Sequence, residues 1–166
     1  MTLAGADEEH QWWSCAAVPI YIPFECGCRI QLTAENSGSH EQCKCGNPVF
    51  VPYDVCFRFH SPLELTTVFE TFREWFPVSE RDFTHDAENV WEWFDGRSSD
   101  GRVGFNISRK HNSRYLAKSN PVIMSILLHD VRLTPELMGQ RMAASFATRV
   151  VATSPSHKYD ATYEAT

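Results

Sequence analysis

The sequence predicts an α+β protein in which an N-terminal β module packs on a mostly helical C-terminal part. All six cysteines precede Ser61, in a segment of β-like composition, whereas apolar residues recur at helical spacing after it. A capping residue followed by proline, a combination that begins many helices, occurs at 61–62, 120–121 and 134–135. The predicted segments are a β module (1–60), a helical domain with a short strand (61–152) and a polar, frayed tail (153–166).

Composition limits the classes of protein to which this chain can belong. Of its 166 residues, 43% are hydrophobic and 13% are aromatic, which is enough for a folded core. No apolar run approaches the roughly 18 residues of a membrane span, so no membrane contact is expected. The N-terminal residues lack a basic region followed by an apolar stretch, which predicts an intracellular, cytoplasmic protein. The net charge of -6 argues against a general nucleic-acid coat.

The first predicted helix begins at Ser61. This serine can cap the helix, Pro62 suits its first position, and Glu64 completes a capping box. An apolar stripe at helical spacing follows, and Pro77 ends the helix. The stripe consists of Leu65, Val68, Phe69, Phe72 and Phe76.

Three further segments complete the central part of the prediction. A second helix covers about 86–94 and ends before Asp95 and Gly96, and a strand covers 103–108. The run 122–128 is apolar almost all round, which favours a buried helix over a central strand.

The last predicted helix begins at Thr134, which is followed by Pro135. Apolar residues recur at four-residue spacing along it, and small residues line an adjacent face, which would let another helix approach closely. The apolar positions are Met138, Met142, Phe146 and Val150, and the small ones are Gly139, Ala143 and Ala147.

Four cysteines form the most informative pattern in the chain. Cys26 and Cys28 make one C-x-C pair, Cys43 and Cys45 make a second, and 14 residues separate the two pairs. Each pair supplies two thiolates from one tight turn, and the intervening segment can bring the second turn opposite the first. We therefore predict that these four cysteines bind one Zn²⁺ per chain.

The segment from about Val18 to Tyr53, which contains both pairs, resembles a zinc ribbon at the superfamily level. The usual ribbon has C-x-x-C pairs where this chain has C-x-C, so His40, Cys15 or Cys56 remains an alternative to one of the four thiolates. Two disulfides, a redox-switched zinc site and simple buried cysteines are the competing interpretations. The resemblance implies that the N-terminal segment is a zinc-ribbon-like β module.

Four thiolate ligands predict a structural zinc, because a catalytic zinc keeps an open coordination position. The seven histidines match no recognised catalytic spacing, and the common phosphate-binding and nucleophile motifs are absent from the sequence. No catalytic residue is therefore predicted. An enzyme whose site combines distant residues remains an alternative.

Charge is distributed unevenly along the chain. Residues 61–100 carry ten acidic and three basic side chains, whereas residues 101–166 carry four acidic and nine basic ones. The stretch 102–118 combines five bases with Phe105 and Tyr115, a pattern that also suits nucleic-acid binding. Those bases are Arg102, Arg109, Lys110, Arg114 and Lys118. The sequence leaves open whether the acidic and basic segments pair with each other.

These observations predict a non-enzymatic, zinc-stabilised adaptor or regulatory protein that binds another macromolecule, with a protein as the favoured partner. One alternative is a nucleic-acid-associated factor that uses the basic stretch 102–118. Another is an acidic inhibitor whose aromatic and acidic segment 64–100 imitates nucleic acid.

Overall fold

The computed structural model describes residues 21–88, 90–110, 120–154 and 160–166 of the chain. Within these ranges the backbone forms eleven strands and two helices. The strands are β1 (Tyr21–Pro23), β2 (Arg29–Gln31), β3 (His40–Gln42), β4 (Pro48–Phe50), β5 (Tyr53–Phe59), β6 (Phe83–Glu88), β7 (Trp91–Arg97), β8 (Val103–Lys110), β9 (Val122–Leu128), β10 (Val150–Thr153) and β11 (Asp160–Tyr163). The helices are α1 (Leu65–Trp75) and α2 (Pro135–Phe146).

Seven strands form one antiparallel sheet in the order β11-β10-β5-β9-β8-β7-β6. Met124 of the central strand β9 lies opposite Phe57 of β5 and Ile107 of β8, so these three side chains share one face of the sheet. Both helices contribute buried residues to the same apolar core as that face. The core therefore lies between the sheet and a layer formed by α1 and α2.

The predicted α+β fold with a mostly helical C-terminal part is wrong, because the described part of the chain is mostly β. The run 122–128 forms β9, and most of the predicted helix over 86–94 belongs to β6 and β7. In β9, neighbouring residues point to opposite faces, and Ile123 and Met124 are both almost fully buried. A strand covered on both faces needs apolar residues at every position, so its sequence lacks alternation.

Gly96 shows why the predicted end of a helix at Asp95 and Gly96 is instead part of a strand. Gly96 lies in β7 opposite Phe83 of β6 and Phe105 of β8. A Cβ atom at this position would overlap the carbonyl oxygen of Asp82. The glycine therefore permits a close approach of two strands. The predicted strand over 103–108 is confirmed as part of β8.

Helix α1 confirms the predicted apolar stripe but begins later than expected. All five stripe residues are at most 1% exposed, and the Phe69 ring stacks on Phe94 with 4.2 Å between centroids. The N-cap is Glu64, which makes no side-chain capping bond. The Ser61 hydroxyl instead accepts a hydrogen bond from the Leu63 amide at 3.2 Å, so Ser61 stabilises the turn before the helix.

Helix α2 begins as predicted. The Thr134 side chain caps it by accepting a hydrogen bond from the Leu137 amide at 3.2 Å, with proline in the first turn. Gly139 lies against the ring of Tyr163, which a Cβ atom would overlap. A side chain of β11 therefore occupies the space where the sequence suggested a second helix.

Strands from all three predicted segments belong to the large sheet. Strand β5 precedes the expected boundary at Ser61, yet it pairs with β9 and β10 inside the large sheet. Strand β11, within the expected tail, pairs with β10 at the sheet edge. No helix in the described ranges has the length and apolar character needed to cross a membrane.

Candidate metal centre

Two short hairpins, β1–β2 and β3–β4, carry the four cysteines at their turns. In the first turn, the Phe24 amide donates to the Cys28 carbonyl and the Gly27 amide donates to the Phe24 carbonyl, both at 2.9 Å. In the second turn, the Cys43 amide donates to the Asn47 carbonyl at 3.0 Å, and the Gly46 amide donates to the Cys43 carbonyl at 2.9 Å. The two turns therefore share one pattern of backbone hydrogen bonds.

Each turn has a glycine at its fourth position, where the backbone is left-handed. Gly27 has a φ of +84° and Gly46 has a φ of +89°. No atom lies within 4 Å of a Cβ built at either glycine, so backbone conformation rather than space requires the residue. A side chain at either position would strain the turn that aims the cysteines.

The shared hydrogen-bond pattern shows that the two C-x-C pairs are offset by two positions. Cys26 and Cys45 both occupy the third position, directly before the glycine. The second cysteine stands at the first position in one turn, as Cys43, and at the fifth in the other, as Cys28. The equal spacing in the sequence therefore conceals two different ways of placing a pair of thiols on the same turn.

The offset turns bring the four sulfur atoms together. The Sγ atoms of Cys26, Cys28, Cys43 and Cys45 all lie within 4.8 Å of one another. A zinc–sulfur bond of about 2.3 Å implies sulfur–sulfur distances of about 3.8 Å in a tetrahedron. The Cys26–Cys43 distance of 3.7 Å matches that value, whereas the Cys43–Cys45 distance of 2.6 Å must increase by about 1 Å. The four sulfur atoms therefore fit a tetrahedral thiolate site once the Sγ atoms of Cys43 and Cys45 move apart.

Contacts within the cluster shift the pKa values of its thiols in opposite directions. The hydrogen bond with Cys45 lowers the pKa of the buried Cys43 thiol to about 6. The same bond raises the pKa of Cys45 to about 12, and a bond with Cys26 raises the pKa of Cys28. A soft divalent cation would displace these shared protons, because the thiolate is the form that binds metal.

The hairpins are joined to the large sheet through a small apolar cluster. Ile22, Leu32 and Val51 form its buried centre, and Leu127 of β9 packs against it. The Ser37 hydroxyl donates to Asp54 of β5 at 2.5 Å, which links the segment between the hairpins to the sheet. A three-residue core is small, so a metal held by the four cysteines would have a large share in ordering this region.

The alternative ligands proposed from the sequence lie elsewhere or outside the described residues. His40 lies in β3 with its ring 5.3 Å from that of Phe50, and it is not part of the four-sulfur cluster. Cys56 lies within the large sheet, between Ser125 of β9 and Thr153 of β10. Cys15 lies outside the described residues.

The predicted basic stretch does not form a continuous exposed surface in its described part. Arg109 is 4% exposed, and burial lowers the pKa of its guanidinium. Its Nη1 donates to the Leu63 carbonyl at 2.7 Å and its Nη2 to the Ser61 carbonyl at 2.9 Å. Arg102 pairs with Asp100 at 2.8 Å. The region 111–119, which includes Arg114, Lys118 and Tyr115, lies outside the described residues.

The acidic segment divides between the core and the surface. Trp91 and Phe94 are buried in the fold. Asp86 and Glu88 are exposed on β6, the edge strand of the large sheet. The acidic side chains therefore lie at the surface while most aromatic rings belong to the fold.

A cleft beside the cysteine cluster contains functional candidates that the sequence did not reveal. It has a volume of about 380 Å³ and lies between the two hairpins and the large sheet. Arg97 of β7 and His129, which follows β9, line its inner side. These two residues are far apart in the chain, so no local motif could have identified them.

No protein-family model, curated protein or solved structure matches the chain.

Proposed function

We propose that Cys26, Cys28, Cys43 and Cys45 bind one structural Zn²⁺, and that the protein is a zinc-stabilised adaptor or regulator. The observation that carries this proposal is the convergence of four Sγ atoms within 4.8 Å from two turns of equal backbone pattern. Four sulfur donors in a tetrahedral arrangement suit zinc better than hard cations, which prefer oxygen ligands.

A structural role for the zinc follows from the number and kind of its ligands. Four thiolates fill a tetrahedral shell and leave no position for a substrate or an activated water. The bound ion instead connects two hairpins whose shared apolar core is small. Metal binding and folding of this region are therefore one coupled equilibrium.

An adaptor role with a protein partner is supported by what the hairpins expose. Tyr21 of β1 is 54% exposed, and Phe24 and Phe50, also on the two hairpins, are half-buried. Aromatic side chains contribute much of the binding energy at protein interfaces. The buried Arg109 and the paired Arg102 weaken the alternative of a nucleic-acid surface in the described residues. A cytoplasmic setting keeps the thiols reduced for metal binding.

The metal assignment is tested by native mass spectrometry and elemental analysis of protein purified without chelator. We expect about one zinc per chain, lost in Cys43→Ser and retained in the matched control Cys56→Ser. Cys56→Ser removes the same thiol from the large sheet without touching the cluster. Absence of zinc from the natural sequence, or a fully folded metal-free Cys43→Ser variant, would refute the assignment.

The adaptor role is tested by affinity capture from the native host with zinc-loaded protein, with and without nuclease. We expect a protein partner that survives nuclease treatment and is lost with Cys43→Ser but not with Cys56→Ser. A partner that disappears on nuclease treatment would replace the protein-adaptor proposal with the nucleic-acid-associated alternative.

A further inference from the structure

The cleft beside the cysteine cluster combines two chemically different sides. Its outer walls come from the hairpins and include Ile22, Phe24, Val49 and Phe50. These side chains are buried or half-buried, so they present apolar surface that is only partly covered by the chain itself. A volume of about 380 Å³ lies at the low end of small-molecule sites.

The inner side of the cleft provides polar groups without partners. Arg97 is exposed, and its guanidinium makes no ion pair or hydrogen bond with the described part of the chain. His129 lies close enough for the Arg97 charge to act on it, and its Nε2 is buried without a hydrogen-bond partner among the described residues. Buried polar atoms are normally paired, so the unpaired Nε2 makes His129 an exception in the wall of the cleft.

We propose that this cleft binds an apolar carboxylate, with its hydrocarbon part against Phe24, Val49 and Phe50 and its carboxylate on Arg97. A guanidinium and a carboxylate match in shape and form paired hydrogen bonds. This proposal goes beyond the adaptor role, because it assigns a ligand chemistry to one cleft and does not depend on which partner the protein captures.

A carboxylate suits the cleft better than a phosphate. Arg97 supplies a single formal positive charge, and Glu25 and the Cys26 thiolate, which also line the cleft, oppose it. Their repulsion is stronger for a dianion than for a monoanion, so the guanidinium holds a carboxylate more readily than a phosphate dianion. The shared chemistry, an apolar group with a terminal carboxylate, belongs both to free acids and to the C-terminus of a peptide.

The test measures binding of two acid–amide pairs to the zinc-loaded, full-length protein by isothermal titration calorimetry. The first pair is 4-phenylbutyrate and 4-phenylbutyramide, and the second is the peptide acetyl-Gly-Gly-Leu-Phe with a free or an amidated C-terminus. We expect at least one acid to bind at least tenfold more tightly than its amide. A peptide acid that binds tenfold tighter than phenylbutyrate identifies a partner's C-terminus as the source, and the reverse identifies a free acid.

Matched variants locate the binding. Arg97→Gln should remove the preference for acid over amide, whereas Arg29→Gln, an exposed arginine of the same hairpin region outside the cleft, should leave it unchanged. Phe50→Ala should weaken acid and amide binding by the same factor, because it removes apolar wall only. Circular dichroism and zinc content verify that each variant is folded and loaded.

Three results would overturn the proposal: equal affinity for acid and amide in both pairs, an Arg97→Gln variant that keeps the preference, or no binding at millimolar ligand. Each of these leaves the zinc content and the captured partner unaffected. Failure of the cleft proposal is therefore distinguishable from failure of the zinc-stabilised adaptor.

Discussion

Arg109 offers the sharpest test of the fold, because its place in the sequence and its place in the structure lead to opposite expectations. In the sequence it belongs to a basic stretch that suits an exposed anion-binding surface. In the structure it is buried and donates two hydrogen bonds to carbonyls before α1, one from Leu63 and one from Ser61. Replacing Arg109 with an uncharged residue should therefore lower the stability of the fold and should have little effect on the binding of an anionic partner.

We expect Arg109→Gln to lower the free energy of unfolding by about 2–4 kcal/mol. Each hydrogen bond from a charged group contributes about 1.5–3 kcal/mol, and the shorter glutamine loses both. Part of this loss is offset, because the buried guanidinium is desolvated and its Nε has no partner among the described residues. Relief of that penalty returns about 1–2 kcal/mol, which leaves a net loss of about 2–4 kcal/mol. The melting temperature of a chain of this size should fall by roughly 4–16 °C.

The assay is urea unfolding followed by tryptophan fluorescence, at low and at high salt. Lys110→Gln is the matched control, because it removes the same charge from the neighbouring, half-buried residue. We expect the control to change stability by less than about 1 kcal/mol and the loss at Arg109 to depend little on salt, since buried bonds are poorly screened. Equal, small effects at both positions would refute the burial of Arg109 and restore the exposed basic surface.

Three further predictions test the core, a helix cap and an ion pair. Phe69→Ala should lower the free energy of unfolding by about 3–5 kcal/mol, because it empties a fully buried ring position; an unchanged urea midpoint would place the stripe in solvent. Thr134→Ala should cost about 1 kcal/mol through loss of the α2 cap, and unaltered hydrogen exchange of the Leu137 amide would contradict the capping bond. Hydrogen bonding to Arg132 lowers the pKa of Asp130 to about 2, so this carboxylate stabilises the fold above about pH 4 and loses that effect as the pH falls toward 2. Asp130→Asn should therefore be less stable than the natural sequence at pH 7 and equally stable near pH 2, and a difference independent of pH would disprove the ion pair.

Features encoded by neighbouring residues were predictable from the sequence. The spacing of the four cysteines identified the side chains whose Sγ atoms the structure brings within 4.8 Å. Thr134 and Pro135 identified the start of α2, and the stripe from Leu65 to Phe76 identified the buried face of α1. In each case the information lies within one turn or one helix, so local geometry alone determines the outcome.

The type of the central elements depended on partners far away in the chain. The run 122–128 lacks alternation because β5 and β8 flank it and both of its faces are covered, so periodicity did not distinguish it from a buried helix. Asp95 and Gly96 are typical of the end of a helix, yet Gly96 lies where β6 approaches β7 closely. These outcomes follow from strand pairing, which no local window contains.

The sequence by itself therefore identified the four cysteines of the cluster and the two helices. The apolar stripe identified α1, and the Thr134 cap with Pro135 identified the start of α2. Only the tertiary structure decided the seven-stranded sheet, the two-position offset between the cysteine pairs, the burial of Arg109 and the meeting of Arg97 with His129 at one cleft. The physical reason is distance along the chain. Capping, turn and spacing preferences act over a few residues, whereas sheet order, desolvation and cleft formation depend on contacts between segments that are close only after folding.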